Sequence, residues 1–318
     1  MYCAIRLRHK DIHATFVAAR KNYLLGGLGS SMLIEIGQIE ALFRYPVKSM
    51  GGERLEVANL GWYGLEGDRR LAFRRMQMRM EMEIESEMQI NDRSGMPWLT
   101  ASTLPDLLLF APHREDAGRQ DGDQGDLHPH LPTHIRTPDG AVMPVFGDDL
   151  AAEVGRRYGA PVQMMQLRHG IFDEASISVI ASDTVREIGR LAGQDPNLQR
   201  FDVPRFDERR FDVRRFRPNI VVRLLRPAPF QEDEWLGGVL SFGEGDDAPA
   251  IAVTMRDERC SMVNLDPDTA SPAPEILKAV VREHQNTAGI YGAVTRIGRV
   301  AVGQTIFLRA ATGKGERE

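Results

Sequence analysis

The sequence predicts a mostly β (α+β) protein, built as two linked β-barrel domains with a few peripheral helices. From residue 33 onward, short apolar runs punctuated by glycine and proline recur along the chain, which is typical of strands. These runs lie at residues 39–45, 55–60, 71–73, 220–224 and 250–254. A length of 318 residues suggests roughly two domains, and a composition that is 42% hydrophobic is sufficient to bury a large core.

Helical periodicity is confined to a few places in the chain. The clearest are residues 182–192, where Ser182 is a plausible N-cap, and residues 274–284. Pro274 is tolerated in the first turn because its missing N–H would have no partner within the helix. These two segments are therefore the predicted peripheral helices.

Two segments look like insertions. Apolar and polar residues alternate between residues 75 and 92, which suggests a strand or hairpin arm, although methionine and glutamate individually prefer helices. A five-residue repeat places Arg-Phe at 200–201, 205–206, 210–211 and 215–216. A basic and aromatic array can bind anionic partners, but four carboxylates within this one offset much of its charge. Residues 76–90 and residues 200–214, which leave out the last Arg-Phe pair, are expected to lie away from the chemistry.

Charge and cysteine content exclude several classes of protein. A net charge of −5 and a pI near 6.0 argue against general nucleic-acid binding, and no membrane span is predicted. Two cysteines, Cys3 and Cys260, cannot form a disulfide framework or a four-ligand iron–sulfur cluster, and they indicate a reducing, cytoplasmic location. Metal binding by His128, His130 and His134 is disfavoured by the intervening prolines.

Cys260 is the most informative residue of the chain. Its local sequence supports two interpretations: a small buried apolar side chain, or a reactive thiol. Arg256 and Arg259 precede it, and nearby cations favour the thiolate form, which attacks electrophiles and binds soft metals. Local composition leaves both interpretations open.

The run at residues 254–269 resembles the segment around the molybdenum-ligating cysteine of the MOSC family. These are the molybdenum-cofactor sulfurase C-terminal domain proteins, which include the mitochondrial amidoxime-reducing component. Further stretches resemble the family in the same order, at 45–49, 64–70, 170–175, 215–222, 286–292 and 298–303. The resemblance implies a MOSC-associated β-barrel domain at 33–166 and a MOSC domain at 167–310. Residues 1–32 and 311–318 are then an N-terminal extension, which contains Cys3, and a C-terminal tail.

The resemblance also implies a molybdenum cofactor (molybdopterin) and its ligands. Cys260 matches the metal ligand and catalytic residue, and the matches to cofactor-binding residues are Lys48, Ser49, Arg69, Arg217 and Asn219. Cations and hydroxyls suit a pyranopterin phosphate, while a thiolate suits molybdenum. We expect Lys48, Ser49, Arg69 and Arg217 to converge on one cavity at the junction of the barrels.

Three further positions in or near the family-like stretches are not assigned to cofactor binding. Arg70 is expected to form surface ion pairs with Asp68, Glu66 or Glu53 rather than to bind the cofactor. Ser102 stands where the family commonly has an arginine, so cofactor binding is expected to be weaker. Asp257 replaces a second cysteine often found three residues before the metal ligand, which argues against a two-thiol mechanism.

Three functions agree with the resemblance. The first is an oxidoreductase that reduces small N-hydroxylated or related oxygenated substrates, with electrons from an external flavoprotein, haem protein or ferredoxin. The second is a sulfur carrier that uses a Cys260 persulfide, loaded by a sulfur donor, in metal–sulfur cofactor assembly. The third is a cofactor-binding module without turnover. Metal and pterin content distinguishes the first from the second.

Overall fold

The structure is a computed structural model that describes residues 33–76, 97–114, 130–167, 170, 175–193 and 211–310. Within these ranges the strands are β1 (Leu33–Arg44), β2 (Glu53–Leu55), β3 (Val57–Gly61), β4 (Gly64–Leu65), β5 (Leu71–Arg75), β6 (Ala111–His113), β7 (His134–Arg136), β8 (Val142–Pro144), β9 (Val162–Gln166), β10 (Ile177–Ala181), β11 (Ile220–Leu224), β12 (Val239–Phe242), β13 (Ala250–Glu258), β14 (Thr287–Arg296), β15 (Gly298–Ala301) and β16 (Thr305–Arg309). The helices are α1 (Asp148–Tyr158), α2 (Ser182–Leu191) and α3 (Glu275–His284).

Seven strands form a closed barrel in the order β1, β11, β10, β14, β13, β12 and β16, with β16 pairing back to β1. The β10–β11 pair is parallel and the other neighbouring pairs are antiparallel. Strand β2 pairs with the last three residues of β1, Leu42–Arg44. Closure leaves few exposed strand edges, and it confirms the mostly β class.

Strand β1 pairs with three other strands. Its register shifts between Glu35 and Gly37 against β16, and between Ile39 and Ala41 against β11. A side chain at Gly37 would place its Cβ 2.1 Å from the carbonyl oxygen of Arg223, so this close approach requires glycine. The barrel thus includes a strand from the N-terminal part of the chain. The proposed boundary between residues 166 and 167 stays a prediction.

The barrel strands are apolar on both faces. In β11, Ile220 and Val222 belong to the barrel interior, while Val221 packs outward in a cluster with residues of α2 and α3. Two covered faces produce the continuous apolar runs that the sequence shows. A third cluster lies in residues 47–162, where β5–β9 and β6–β7–β8 form separate two- and three-stranded sheets beside α1. The prediction of a second barrel is not confirmed in the described part of that region.

The helix predictions have three outcomes. Helix α3 is confirmed, beginning at Glu275 after Pro274. Helix α2 is confirmed, but the N-cap prediction is wrong: the cap residue is Ala181, and the buried hydroxyl of Ser182 has no hydrogen-bond partner among the described residues. Helix α1 was not predicted, because its buried residues Leu150 and Val154 give only one turn of apolar spacing.

Instead, a buried carboxyl group from a distant turn accepts hydrogen bonds at the start of α2. Glu232, in the 3-10 turn Gln231–Trp235, accepts hydrogen bonds from the backbone N–H of Ala181 at 3.2 Å and from Thr184 Oγ1 at 2.8 Å. Its burial raises the pKa of the carboxyl group from 4.5 to about 7, although these hydrogen bonds favour the charged form.

Several predicted segments lie outside the described residues. These are the extension 1–32, the tail 311–318, the alternating segment from residue 77 onward, the first two Arg-Phe pairs and His128. The end of the repeat is described: Phe211 contacts Phe216 edge to face, with ring centroids 6.0 Å apart, and Phe216 is buried in the outer cluster. This part of the repeat belongs to the core rather than to peripheral surface. Within the described ranges, no helix has both the length and the apolar character to cross a bilayer.

The buried carboxyl group of Glu232 predicts a pH dependence of stability. Because the folded protein holds this proton more tightly than the unfolded chain, the free energy of unfolding should fall as pH rises from 4.5 to about 7. The Glu232 carboxyl group should account for on the order of 3 kcal/mol of this fall in the free energy of unfolding. Glu232→Gln should abolish that part of the fall. Urea titrations across the range measure it. The exposed neighbour Glu234→Gln is the control, and equal slopes in wild type and Glu232→Gln would contradict the assignment.

Candidate functional site

Two turns are hydrogen-bonded to each other at one end of β1. The backbone N–H of Tyr45 donates to Asp68 Oδ1 at 2.7 Å, and that of Arg69 donates to the carbonyl of Tyr45 at 2.8 Å. Lys48 continues the pairing, since its N–H donates to the carbonyl of Leu71 at 2.8 Å. The turn that contains Lys48 and Ser49 is therefore held against the turn that contains Arg69.

Arg69 joins these turns to a third, which precedes β11. Its guanidinium donates to the carbonyl of Arg217 at 2.9 Å, to Asn219 Oδ1 at 3.2 Å and to the adjacent, fully buried Asp68. Burial opposes the charged form of Arg69, but the Asp68 carboxylate outweighs it and raises the pKa of the guanidinium. Arg69 is thus a fixed cation at the meeting point of the three turns.

Arg217 approaches the same place from the third turn. Its Nη1 donates to the carbonyl of Met50 at 2.7 Å, and its guanidinium carbon lies 4.1 Å from the centroid of the Tyr45 ring. The guanidinium of Arg69 lies 5.2 Å from the same centroid. Burial raises the pKa of the Tyr45 hydroxyl despite both arginines, so the phenol stays neutral. That hydroxyl has no hydrogen-bond partner in the described part of the chain.

Asn219 is fully buried, and its side chain bonds to two barrel strands. Its Oδ1 accepts from the backbone N–H of Ser178 at 3.1 Å as well as from Arg69, and its Nδ2 donates to the carbonyl of Phe43 at 3.3 Å. The backbone of Asn219 also bonds to Ser178 and Phe43. The amide therefore ties β1 to β10 and orients Arg69.

Ser49, Arg69 and Arg217 share an unusual backbone conformation. Their φ angles are 67°, 49° and 51°, which place three non-glycine residues in the left-handed region. Such residues cost free energy and cluster at functional sites. Three of the five predicted cofactor-binding residues have this conformation, which supports a functional interpretation of the three turns.

Cys260 immediately precedes the 3-10 turn Ser261–Asn264, two residues after the end of β13, and it is exposed. The interpretation as a buried packing residue is therefore wrong. Arg259 is buried and donates to the carbonyls of Ala288 at 2.7 Å and Phe216 at 2.9 Å. Because Phe216 precedes Arg217, this second bond ties the Cys260 turn to the Arg217 turn.

The two arginines upstream of Cys260 are paired with carboxylates. Arg259 lies 2.8 Å from Asp257, which also accepts from Ser178 Oγ at 2.9 Å, and Arg256 lies 2.9 Å from Asp233. The positive charges of Arg256 and Arg259 are therefore offset by these two carboxylates. Asp257 is instead a buried partner of Arg259.

The loop after Cys260 is held by the end of the Arg-Phe repeat. Arg215 donates to Asp266 at 2.7 Å and to the carbonyl of Asn264 at 3.2 Å, while Arg214 forms two bonds to Asp268 at 2.7 and 3.0 Å. Sequence reasoning gave no site role to Arg214, Arg215 or Tyr45. It also did not predict the pairing of Arg259 with Asp257. The available signal for Arg215 was its position at the start of the stretch 215–222, which resembles the family.

The remaining predicted positions surround these turns. Ser49 is buried and Lys48 is partly exposed. Burial lowers the pKa of Arg70, with Asp68 and Glu66 as its acidic neighbours, and its guanidinium lies 6.0 Å from the ring centroid of Tyr63. Ser102 is exposed. The adjacent Ala101 clusters with Leu108 and with two residues of the loop after Cys260, Met262 and Leu265.

The structure therefore brings Arg69 into contact with both Arg217 and Asn219, and it bonds Arg217 to Met50, the residue that follows Ser49. Cys260 is connected to them through Arg259 and Phe216. Whether these residues bind a cofactor stays a prediction.

Residues 166–307 match the family model of the MOSC domain. The chain contains a MOSC domain. This finding confirms the resemblance drawn from the sequence, and MOSC domains are associated with binding of the molybdenum cofactor. Strand β1, which closes the barrel, lies before the matched residues.

Solved structures provide more distant comparisons. The chain is similar to the YuaD protein from Bacillus subtilis, with 14% identity and a TM-score of 0.42, over 88% of this chain and 99% of that one. YiiM from Geobacillus stearothermophilus is 17% identical, with a TM-score of 0.29, over 42% of this chain and 53% of that one. No curated protein matches the chain.

Removal of the Asn219 amide should destabilise the MOSC-domain protein. Asn219→Ala leaves buried partners on β1, on β10 and on Arg69 unsatisfied, so the free energy of unfolding should fall by roughly 2–4 kcal/mol. Chemical denaturation measures the change. Asn59→Ala is the control, because the Asn59 amide bonds to Glu66 at an exposed position, and its loss should stay within about 0.5 kcal/mol. Equal effects of the two substitutions would contradict the role of Asn219.

Proposed function

We propose that this protein binds the molybdenum cofactor and acts as an oxidoreductase. The observation that carries the proposal is the contact between Arg69 and Arg217, which are 148 residues apart and share the buried ring of Tyr45. Their turns are tied through Phe216 and Arg259 to the turn of the exposed thiol Cys260. Two cations and a soft ligand are thus assembled from both halves of the chain.

The residues present fit the chemistry of this cofactor. Its phosphate requires cationic and hydroxyl donors, and guanidinium groups recognise phosphate oxygens through paired N–H bonds. Arg69, Arg217, Lys48 and Ser49 are of these types. Its metal requires a soft ligand, and a thiolate is the softest that a protein offers. The left-handed backbone of Ser49, Arg69 and Arg217 also agrees with a built site.

Each residue has a separate role in this proposal. Lys48, Ser49, Arg69 and Arg217 would hold the phosphate and pterin end, while Asn219 orients Arg69. Cys260 would ligate the molybdenum. When bound, the cofactor supplies two-electron redox chemistry for transfer of an oxygen atom. Asp257 and Arg259 contribute by fixing the backbone that carries Cys260.

We propose N-hydroxylated or related oxygenated small molecules as the substrates. The electrons would come from an external flavoprotein, haem protein or ferredoxin, since Cys3 and Cys260 cannot provide the four ligands of an iron–sulfur cluster on this chain. The unpaired thiol of Cys260 suits a reducing compartment such as the cytoplasm.

Cys260→Ser tests the metal ligand. The substitution is nearly isosteric and the site is exposed, so the fold should be retained while the molybdenum content falls to background, because a hydroxyl group is a poor ligand for a soft metal. Elemental analysis and pterin fluorescence of purified protein measure metal and cofactor, and circular dichroism measures folding.

Cys3→Ser is the matched control, because it removes the other thiol of the chain and should keep full molybdenum content. Molybdenum at the wild-type level in Cys260→Ser would overturn the assignment.

The exposure of Cys260 also supports a sulfur carrier as a second candidate, because persulfide transfer requires an accessible thiol. The two functions differ in what the purified protein should contain. Molybdenum and pterin would support the oxidoreductase. An additional sulfur atom on Cys260, detected by mass spectrometry in protein without metal or pterin, would support the carrier.

A further inference from the structure

The ring of Tyr45 contacts both cations of the proposed site, but Tyr45 is not itself predicted to bind the cofactor. Its ring is buried, and the guanidinium carbons of Arg217 and Arg69 lie 4.1 and 5.2 Å from its centroid. Its backbone N–H is fixed by Asp68. A Cβ at Gly52 would lie 2.4 Å from the ring carbon Cε1, so the backbone of Gly52 packs directly against the ring. The ring therefore has a fixed position.

Two guanidinium groups around one ring repel each other, and their approach requires compensation. The buried carboxylate of Asp68 offsets one charge. The face of an aromatic ring stabilises a cation without taking any of its N–H donors. The ring is therefore suited to holding cations that must still bind an anion.

We propose that Tyr45 is a positioning residue whose ring sets the spacing of Arg69 and Arg217, so that both guanidiniums act on one phosphate group. This inference rests on the proposed function, because the phosphate is that of the bound cofactor. The aromatic ring of Tyr45 positions the two arginines, and its hydroxyl group has no part in this role. The hydroxyl is buried and has no hydrogen-bond partner among the residues that the structure describes, so its removal should not weaken binding.

Phosphate affinity tests the proposal. The full chain, produced in cells that do not make the cofactor, is titrated with inorganic phosphate, and the dissociation constant is measured by thermal shift. Tyr45→Leu removes the aromatic face and should raise this constant about tenfold. Tyr45→Phe keeps the face and should stay within about twofold of wild type. Phe73→Leu, in the separate cluster of residues 47–162, controls for loss of a buried ring: it should lower the melting temperature but not the affinity.

A double-mutant cycle distinguishes positioning from general loosening of the fold. If Tyr45 acts by placing Arg217, Tyr45→Leu should weaken phosphate binding less than about threefold in an Arg217→Gln background. If Tyr45→Leu does not fold, Tyr45→Met replaces it, because methionine fills a similar space without an aromatic face.

Three results would overturn the inference, and they differ in meaning. Unchanged affinity in Tyr45→Leu, or equal losses in Tyr45→Leu and Tyr45→Phe, would exclude positioning by the ring while leaving the anion site intact. The full tenfold loss in the Arg217→Gln background would show that Tyr45 does not act through Arg217. Absence of phosphate binding by the wild-type protein would overturn the anion site and, with it, the proposed function.

Discussion

The buried amide of Asn219 is the interaction on which the rest of the site depends. A buried amide must be satisfied, and this one is bonded to β1 through Phe43, to β10 through Ser178 and to Arg69. It lies just before β11, which forms the parallel pair of the barrel with β10. The hydrogen bonds that close the barrel at this corner therefore also orient the first cation of the site. Fold and candidate function are coupled through one side chain.

Charge compensation explains how several arginines lie so close together. Asp68 balances Arg69, Asp257 balances Arg259, and Asp266 balances Arg215, with Asp68 and Asp257 almost fully buried. Removal of one partner of such a pair leaves a buried charge without compensation. Arg259 and Arg215 also donate to backbone carbonyls of other turns. These arginines thus fix the loops around Cys260, whereas Arg69 and Arg217 remain the candidates for binding an anion.

The sequence predicted the features that are local and missed those that are not. The apolar run of β11 has the bounds Ile220–Leu224 in both prediction and structure, because both faces of that strand are covered. Cys260 was assigned by the resemblance of residues 254–269 to the MOSC family, and its role as a metal ligand stays a prediction. The cap of α2 was assigned to Ser182 because its true partner, Glu232, lies 51 positions from Ala181 in the sequence. The positions of Arg256 and Arg259 suggested free cations, since their pairing with Asp233 and Asp257 depends on the tertiary fold. The contacts of Tyr45 with two distant arginines were invisible for the same reason.

A crystal structure of the protein purified with its cofactor tests the central claim most directly. The account predicts electron density for one pterin cofactor at the meeting point of the three turns, with its phosphate bonded to Arg69 and Arg217 and its metal bonded to the sulfur of Cys260. Density for the phosphate at another place, or a metal that does not contact Cys260, would contradict the account.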